Sequence, residues 1–122
     1  MIGFVSIFIF LFSLFAIFHQ IALTFSLYWY YWWFDILMHF WGGVLLGLLF
    51  YIVIKSRWFN LKPKTLFIVS FLLVVTLGWE LFEWLIKSIS NVNYVTDTIT
   101  DITMGLFGGL LVHIISRTYT MK

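Results

Sequence analysis

Residues 3–23 read GFVSIFIFLFSLFAIFHQIAL, an apolar run that only isolated polar residues interrupt. A transmembrane helix needs about 20 such residues to cross about 30 Å of hydrocarbon, so this run is long enough to span a membrane. It has no basic segment at its start and no small-residue cleavage signal, which favours a retained span over a signal peptide. This stretch therefore predicts a membrane-embedded fold.

The composition of the whole chain agrees with that prediction. Of its 122 residues, 63% are hydrophobic and 10% are charged, against roughly 45–50% and about 25% in soluble domains. The chain contains no cysteine, which excludes disulfides and thiolate metal sites. A net charge of +2 is too small to indicate nucleic acid binding, so we expect no nucleic acid partner.

Three further apolar runs follow, and short polar turns separate them. The expected spans lie at about 3–23, 34–54, 65–86 and 97–115. They predict an all-α fold, an integral membrane four-helix bundle of antiparallel helices that fills residues 1–122 as one domain. Six consecutive Tyr and Trp residues at 28–33 are typical of an interfacial aromatic belt, with a buried aromatic core as the alternative. We detect no internal repeat in the sequence.

The basic residues indicate an orientation, because Lys and Arg are retained on the cytoplasmic side of a membrane. Of the seven, only Lys87 falls at one end of the predicted bundle. Both termini are therefore expected to be cytoplasmic. The other end of the bundle, called the basic end below, carries the remaining six: Lys55, Arg57, Lys62, Lys64, Arg117 and Lys122.

Glycines on the second and fourth spans include two G-x-x-x-G spacings, which let helix backbones approach closely. We interpret them as a contact between these two spans within one chain, with a homodimer interface as the alternative. The glycines are Gly42, Gly43 and Gly47 on the second span and Gly105, Gly108 and Gly109 on the fourth.

All five carboxylates lie toward the end opposite the basic residues, called the acidic end below. Residues three or four apart share a helix face, so each of three spans presents one pair of polar groups. We expect the six side chains to converge in the outer half of the bundle; they are Asp35, His39, Glu80, Glu83, Asp97 and Asp101. The alternative for Asp35 and Asp97 is a helix cap. His113 is interpreted as structural.

Carboxylates crowded in a partly dehydrated space need compensating positive charge, which protons or a metal ion can supply. Carboxylates with one imidazole suit Mg²⁺, Mn²⁺ or Zn²⁺, so a divalent metal ion of one of these kinds is the expected cofactor. The expected metal ligands are His39, Glu83, Asp97 and Asp101. Glu80 or Asp35 would act as the general base or acid.

The same residues carry a family resemblance. The ordered motifs are Asp35-x-x-x-His39-Phe40, then Trp79-Glu80-x-x-Glu83-Trp84, then Asp97-x-x-x-Asp101 before glycines. This set resembles the VanZ-like membrane proteins, above all the uncharacterised YjdF-type inner-membrane proteins. The resemblance implies a polytopic fold in a prokaryotic plasma membrane, and for VanZ itself a link to glycopeptide resistance. It implies no particular reaction.

Three functions fit these observations. The first is a metal-dependent hydrolase or transferase that acts at the outer leaflet on a lipid-linked or phosphorylated substrate, with membrane lipid as its partner. The second is a nonenzymatic transport component that binds a cation or protons at the same carboxylates. The third is a small membrane scaffold whose polar cluster fastens the helices together.

Overall fold

The computed structural model describes residues 2–56, 59, 61–62, 64–87 and 94–120. Within the helices, only the backbone is described at residues 29, 86–87, 94–97 and 119–120. The expected connection at 87–96 falls mostly outside the described residues. Arg57 and Lys122 of the basic end also fall outside them.

Four long helices and one short helix make up the described chain. They are α1 (Ile2–Phe25), α2 (Leu27–Tyr30), α3 (Trp32–Ile54), α4 (Thr65–Lys87) and α5 (Tyr94–Thr120). Each long helix is long and apolar enough to cross a membrane, and each contains one of the four expected spans. The predicted fold class, a helical membrane bundle, is confirmed.

The short helix α2 was not predicted. Ser26 adopts the left-handed conformation, with φ 57°, and this turn ends α1 and lets the chain reverse toward α3. The aromatic residues that follow are mostly exposed: Tyr30 by 72% and Trp32 by 78%. These two positions fit a surface belt and contradict a buried aromatic core.

The centre of the bundle is the contact between α3 and α5, which run parallel. Gly43 lies directly against the backbone of Gly105, and Gly47 lies against Gly109. Any Cβ atom at Gly43 would overlap the Gly105 carbonyl, so the close approach requires glycine there. The glycine faces of the two spans therefore meet within one chain, as predicted.

The two remaining long helices flank this central pair. The first, α1, packs on α3, while α4 packs on α5 and more lightly on α3; among the described residues α1 and α4 do not meet. In a square up-and-down bundle the second and fourth spans would face each other across a diagonal. Here they make the largest contact instead. A buried apolar cluster supports this arrangement at the basic end and consists of Phe50, Tyr51, Ile54, Ile68 and Leu72.

Candidate metal centre

Three helices bring five of the six predicted side chains together at the acidic end. The imidazole of His39 lies between two carboxylates, with its Nε2 atom 3.2 Å from Asp101 Oδ2 and 3.5 Å from Asp35 Oδ1. Asp35 and His39 share one face of α3, as their spacing predicted. Glu80 and Glu83 enter from α4 and complete the cluster.

Among the described side chains, the potential ligand atoms form two overlapping groups. One contains Asp35, His39 and Asp101, and the other contains Glu80, Glu83 and Asp101; within each group all ligand atoms lie within 4.8 Å of one another. Ligands of one Mg²⁺ or Zn²⁺ ion lie about 2.0–2.2 Å from it, and so up to about 4.4 Å apart. Each group is therefore close to the size of the ligand set of a single ion.

Burial differs across the cluster. Asp101 is only 2% exposed and Glu80 only 6%, whereas the side chain of Asp35 is 34% exposed. Glu83 is half-buried and accepts a hydrogen bond of 3.0 Å from Trp79 Nε1. Since Trp79 is 52% exposed, Glu83 marks the edge of the cluster that lies nearest the outer surface of the bundle.

Both cap interpretations are wrong. The fourth span begins at Tyr94, so the backbone of Asp97 lies inside α5 and Asp97 is not its N-cap. The N-cap of α3 is Tyr31, and Asp35 lies in the first turn. Negative charge is favourable there because of the helix dipole, but that position does not account for the contact with His39. The side chain of Asp97 lies outside the described residues, so its expected role as a ligand stays a prediction.

Sequence reasoning missed Tyr28, which it assigned to the aromatic belt. Tyr28 is half-buried and shares a hydrogen bond of 2.8 Å with Nδ1 of His19. Burial, and then the charges of Asp35 and Glu83, raise the pKa of Tyr28 to about 12, so its hydroxyl keeps its proton at neutral pH. Tyr28 therefore lies near both carboxylates. No signal in the sequence separates it from the exposed aromatic residues that follow.

The basic end of the same helices contains a second polar group. Nδ1 of His113 shares a hydrogen bond of 2.8 Å with the Tyr51 hydroxyl, and Nε2 shares one of 2.9 Å with Thr65. The Tyr51 hydroxyl can also donate to the His113 carbonyl, at 3.3 Å. Both imidazole nitrogens are thus occupied, which agrees with the structural role expected for His113.

Fold and site together define a helical membrane protein with a cluster of carboxylates and one imidazole between three of its spans. The chain belongs to a family described as predicted membrane protein (DUF2238), whose model matches residues 1–122. The YjdF-type proteins are members of this family. No curated protein and no solved structure matches the chain.

Proposed function

We propose that the cluster at the acidic end binds a divalent cation. The observation that carries this proposal is the pair of overlapping ligand groups, which share the buried carboxylate of Asp101. Oxygen ligands with one imidazole nitrogen are the donors that Mg²⁺, Mn²⁺ and Zn²⁺ accept in proteins. His39, Glu83, Asp97 and Asp101 are the proposed ligands.

Charge supports the proposal. Four carboxylates meet around one imidazole between membrane-spanning helices, where water is scarce and like charges repel strongly. The only basic residue that the sequence places at this end is Lys87, whose side chain lies outside the described residues. An imidazole that binds metal is neutral, so one divalent ion would offset two of the four negative charges, and Lys87 or protons shared between carboxylates would offset the others.

A bound ion would make the cluster suitable for hydrolysis or group transfer. It would polarise a phosphoryl or carbonyl oxygen, while Glu80 or Asp35 moves a proton. The partial exposure of Asp35 and the position of Glu83 beside the lipid-facing Trp79 support a membrane lipid or lipid-linked molecule as the partner. We also propose that the chain is related to the VanZ-like proteins, because the motifs that resemble theirs contain these same carboxylates and His39.

The second candidate function is a transport component that binds cations or protons. The observation that favours it is the second polar group, His113 with Tyr51 and Thr65, at the other end of the same helix pair. A continuous ion pathway between the two ends is not favoured along this interface, because the glycine contacts hold α3 and α5 together between them. A homodimer remains a proposal, and it would need a surface other than these occupied glycine faces.

Metal analysis of the purified protein tests the proposed function. We expect one or more divalent ions per chain, and thermal unfolding at a higher temperature when Mg²⁺, Mn²⁺ or Zn²⁺ is added. Affinity should fall as pH is lowered, since protons compete for the same carboxylate and imidazole atoms.

Glu83→Gln and Asp101→Asn preserve side-chain shape and remove one charge each, so both should weaken binding. His113→Gln at the basic end is the control and should leave binding unchanged. If the wild-type protein carries no metal and no ion changes its unfolding, the cation proposal is wrong. A proton-sharing network would then be the better explanation of the cluster.

The proposed orientation, with both termini cytoplasmic, has its own test. The chain has no native cysteine, so single cysteines can be introduced at Asn91 and at the exposed Leu61. An impermeant maleimide added to intact cells should label the cysteine at position 91 and not the one at 61. The reverse labelling would place the acidic end in the cytoplasm.

A further inference from the structure

The contacts between α3 and α5 follow one constant register. His39 meets Asp101, Gly43 meets Gly105, Gly47 meets Gly109 and Tyr51 meets His113. Successive pairs are four residues apart on both helices, and every pair is separated by the same 62 positions as Tyr51 and His113. Two parallel helices that touch through equivalent positions are related by an approximate two-fold axis between them. The relation is not exact, because a Cβ atom at Gly43 would meet the Gly105 backbone, whereas one at Gly105 would meet Thr76 of α4.

The sequence repeats in the same register. From Gly47 the chain reads GLLFYIVIK, and from Gly109 it reads GLLVHIISR. Both helices carry the stripe Asp, then His or Asp, then two glycines, then Tyr or His, at intervals of four residues. The expectation of no internal repeat is therefore wrong for these two helices. The repeat is inconspicuous because most of the intervening positions differ, for example Trp41 against Thr103.

The flanking helices α1 and α4 pack on equivalent positions of α3 and α5. At the start of α1, Phe4 stacks on Tyr51 with ring centroids 5.7 Å apart. At the start of α4, Thr65 meets the equivalent residue His113. Each flanking helix therefore packs at its beginning on the same position of its partner.

Exposure repeats at some equivalent positions and differs at others, most of all on the flanking helices, where Leu72 of α4 is fully buried and its equivalent Phe10 of α1 is 63% exposed. Leu37 and Val53 of α3 are exposed, and so are the residues at the equivalent positions of α5, Ile99 and Ile115. On the flanking helices, Phe12 of α1 and Val74 of α4 form a further exposed pair.

We infer that the chain is two copies of one helical hairpin, α1–α3 and α4–α5, which pack face to face through α3 and α5. The halves form an intramolecular pseudo-dimer with its axis along the membrane normal, an arrangement known from transporters built of parallel repeats. The partner that fits the glycine face of one hairpin is the other hairpin of the same chain.

The repeat also locates the cation, and this step rests on the proposed function. His39 and Asp101 are equivalent positions, so a cation held by both lies beside the two-fold axis and between the halves. The symmetry is broken by the flanking helices: α4 supplies Glu80 and Glu83, and it leans over α3. In α1, Phe18 and Ile21 occupy the positions equivalent to those two glutamates. The second hairpin thus supplies most of the negative charge.

Spin-label distances test the repeat without reference to any metal. In the full chain, one double-cysteine variant would carry labels at Phe12 and Val53 in the first hairpin. A second variant would carry them at the equivalent residues of the second hairpin, Val74 and Ile115. All four positions are exposed, so labels disturb the packing little. We expect the same distance in both variants, and clearly different distances would overturn the repeat.

An exchange of the central pair tests the location of the cation. The single variants His39→Asp and Asp101→His should each weaken metal binding. The double variant should recover most of the lost affinity, because it restores one imidazole and one carboxylate at equivalent positions. If the double variant binds as poorly as the two losses combined, the positions are not equivalent. If the wild-type protein binds no metal, the proposed function fails while the spin-label distances still decide the repeat.

Discussion

The two ends of the α3–α5 interface are built on the same helices in the same register, yet they differ in chemistry. At the basic end, the Tyr51 and Thr65 hydroxyls meet the two nitrogens of one imidazole, and these neutral groups satisfy one another. At the acidic end, the imidazole of His39 contacts Asp35 and Asp101, and Asp101 in turn lies in a second group with Glu80 and Glu83. A polar group between membrane-spanning helices can thus have its hydrogen bonds satisfied within the chain. The acidic end differs in its excess of carboxyl groups over imidazole, and this excess is the basis of the proposed cation site.

The α3–α5 contact holds the polar groups at both ends in place, so forcing these helices apart should disrupt both groups. This is the largest effect we expect. In Gly43→Ala the new methyl group would overlap the backbone of Gly105, which cannot move away as a flexible side chain could. Overpacking of this kind costs about 1–3 kcal/mol. Thermal unfolding in detergent and metal affinity should both decline.

The neighbouring glycine is the control for this prediction. Gly42 has nothing within 4 Å of the position that a Cβ atom would take, so Gly42→Ala should not lower stability and can raise it by up to about 1 kcal/mol through helix propensity. Both substitutions alter helix propensity equally, so their difference isolates the helix contact. Equal unfolding temperatures for the two variants would mean that α3 and α5 do not approach at Gly43.

The second prediction asks whether a change at the basic end affects the acidic end. Tyr51→Phe removes the hydroxyl from His113 and should lower stability by about 1 kcal/mol, since interhelical hydrogen bonds in membranes contribute about 0.6 and at most about 1.7 kcal/mol. Metal affinity should not change. Tyr30→Phe is the matched control, because Tyr30 is 72% exposed. A loss of metal affinity in Tyr51→Phe, measured by calorimetry, would show that the two ends are coupled.

The sequence was sufficient to predict the four spans and the convergence of the polar side chains. Span length is local information, and helical spacing together with depth along each span places Asp35, His39, Glu80, Glu83 and Asp101 at one level. These inferences need no knowledge of which helices touch.

What escaped prediction depends on tertiary packing. The glycine stripes predicted that α3 and α5 pack together, but not the register in which they meet. The hydrogen bond of Thr65 to His113 joins two residues 48 positions apart, and neither residue has a sequence pattern that indicates the other. Tyr28 likewise gains its place beside the carboxylates only through the left-handed turn at Ser26.

The smallest predicted effect concerns the lipid-facing edge of the acidic end. Trp79→Phe keeps an aromatic ring at this position but removes the N–H group that donates to Glu83 Oε1. An exposed hydrogen bond contributes about 0.5 kcal/mol, the low end of the usual range, so metal affinity should fall by about twofold. Trp84→Phe, at another exposed position of α4, is the control and should have no effect. If Trp79→Phe weakens metal binding as much as Glu83→Gln does, the indole must hold the carboxylate in its binding position. If Trp79→Phe has no effect while Glu83→Gln abolishes metal binding, the ion itself orients Glu83. Either result would show whether this edge of the cluster is preorganised, as the basic end is, or is assembled by its ligand.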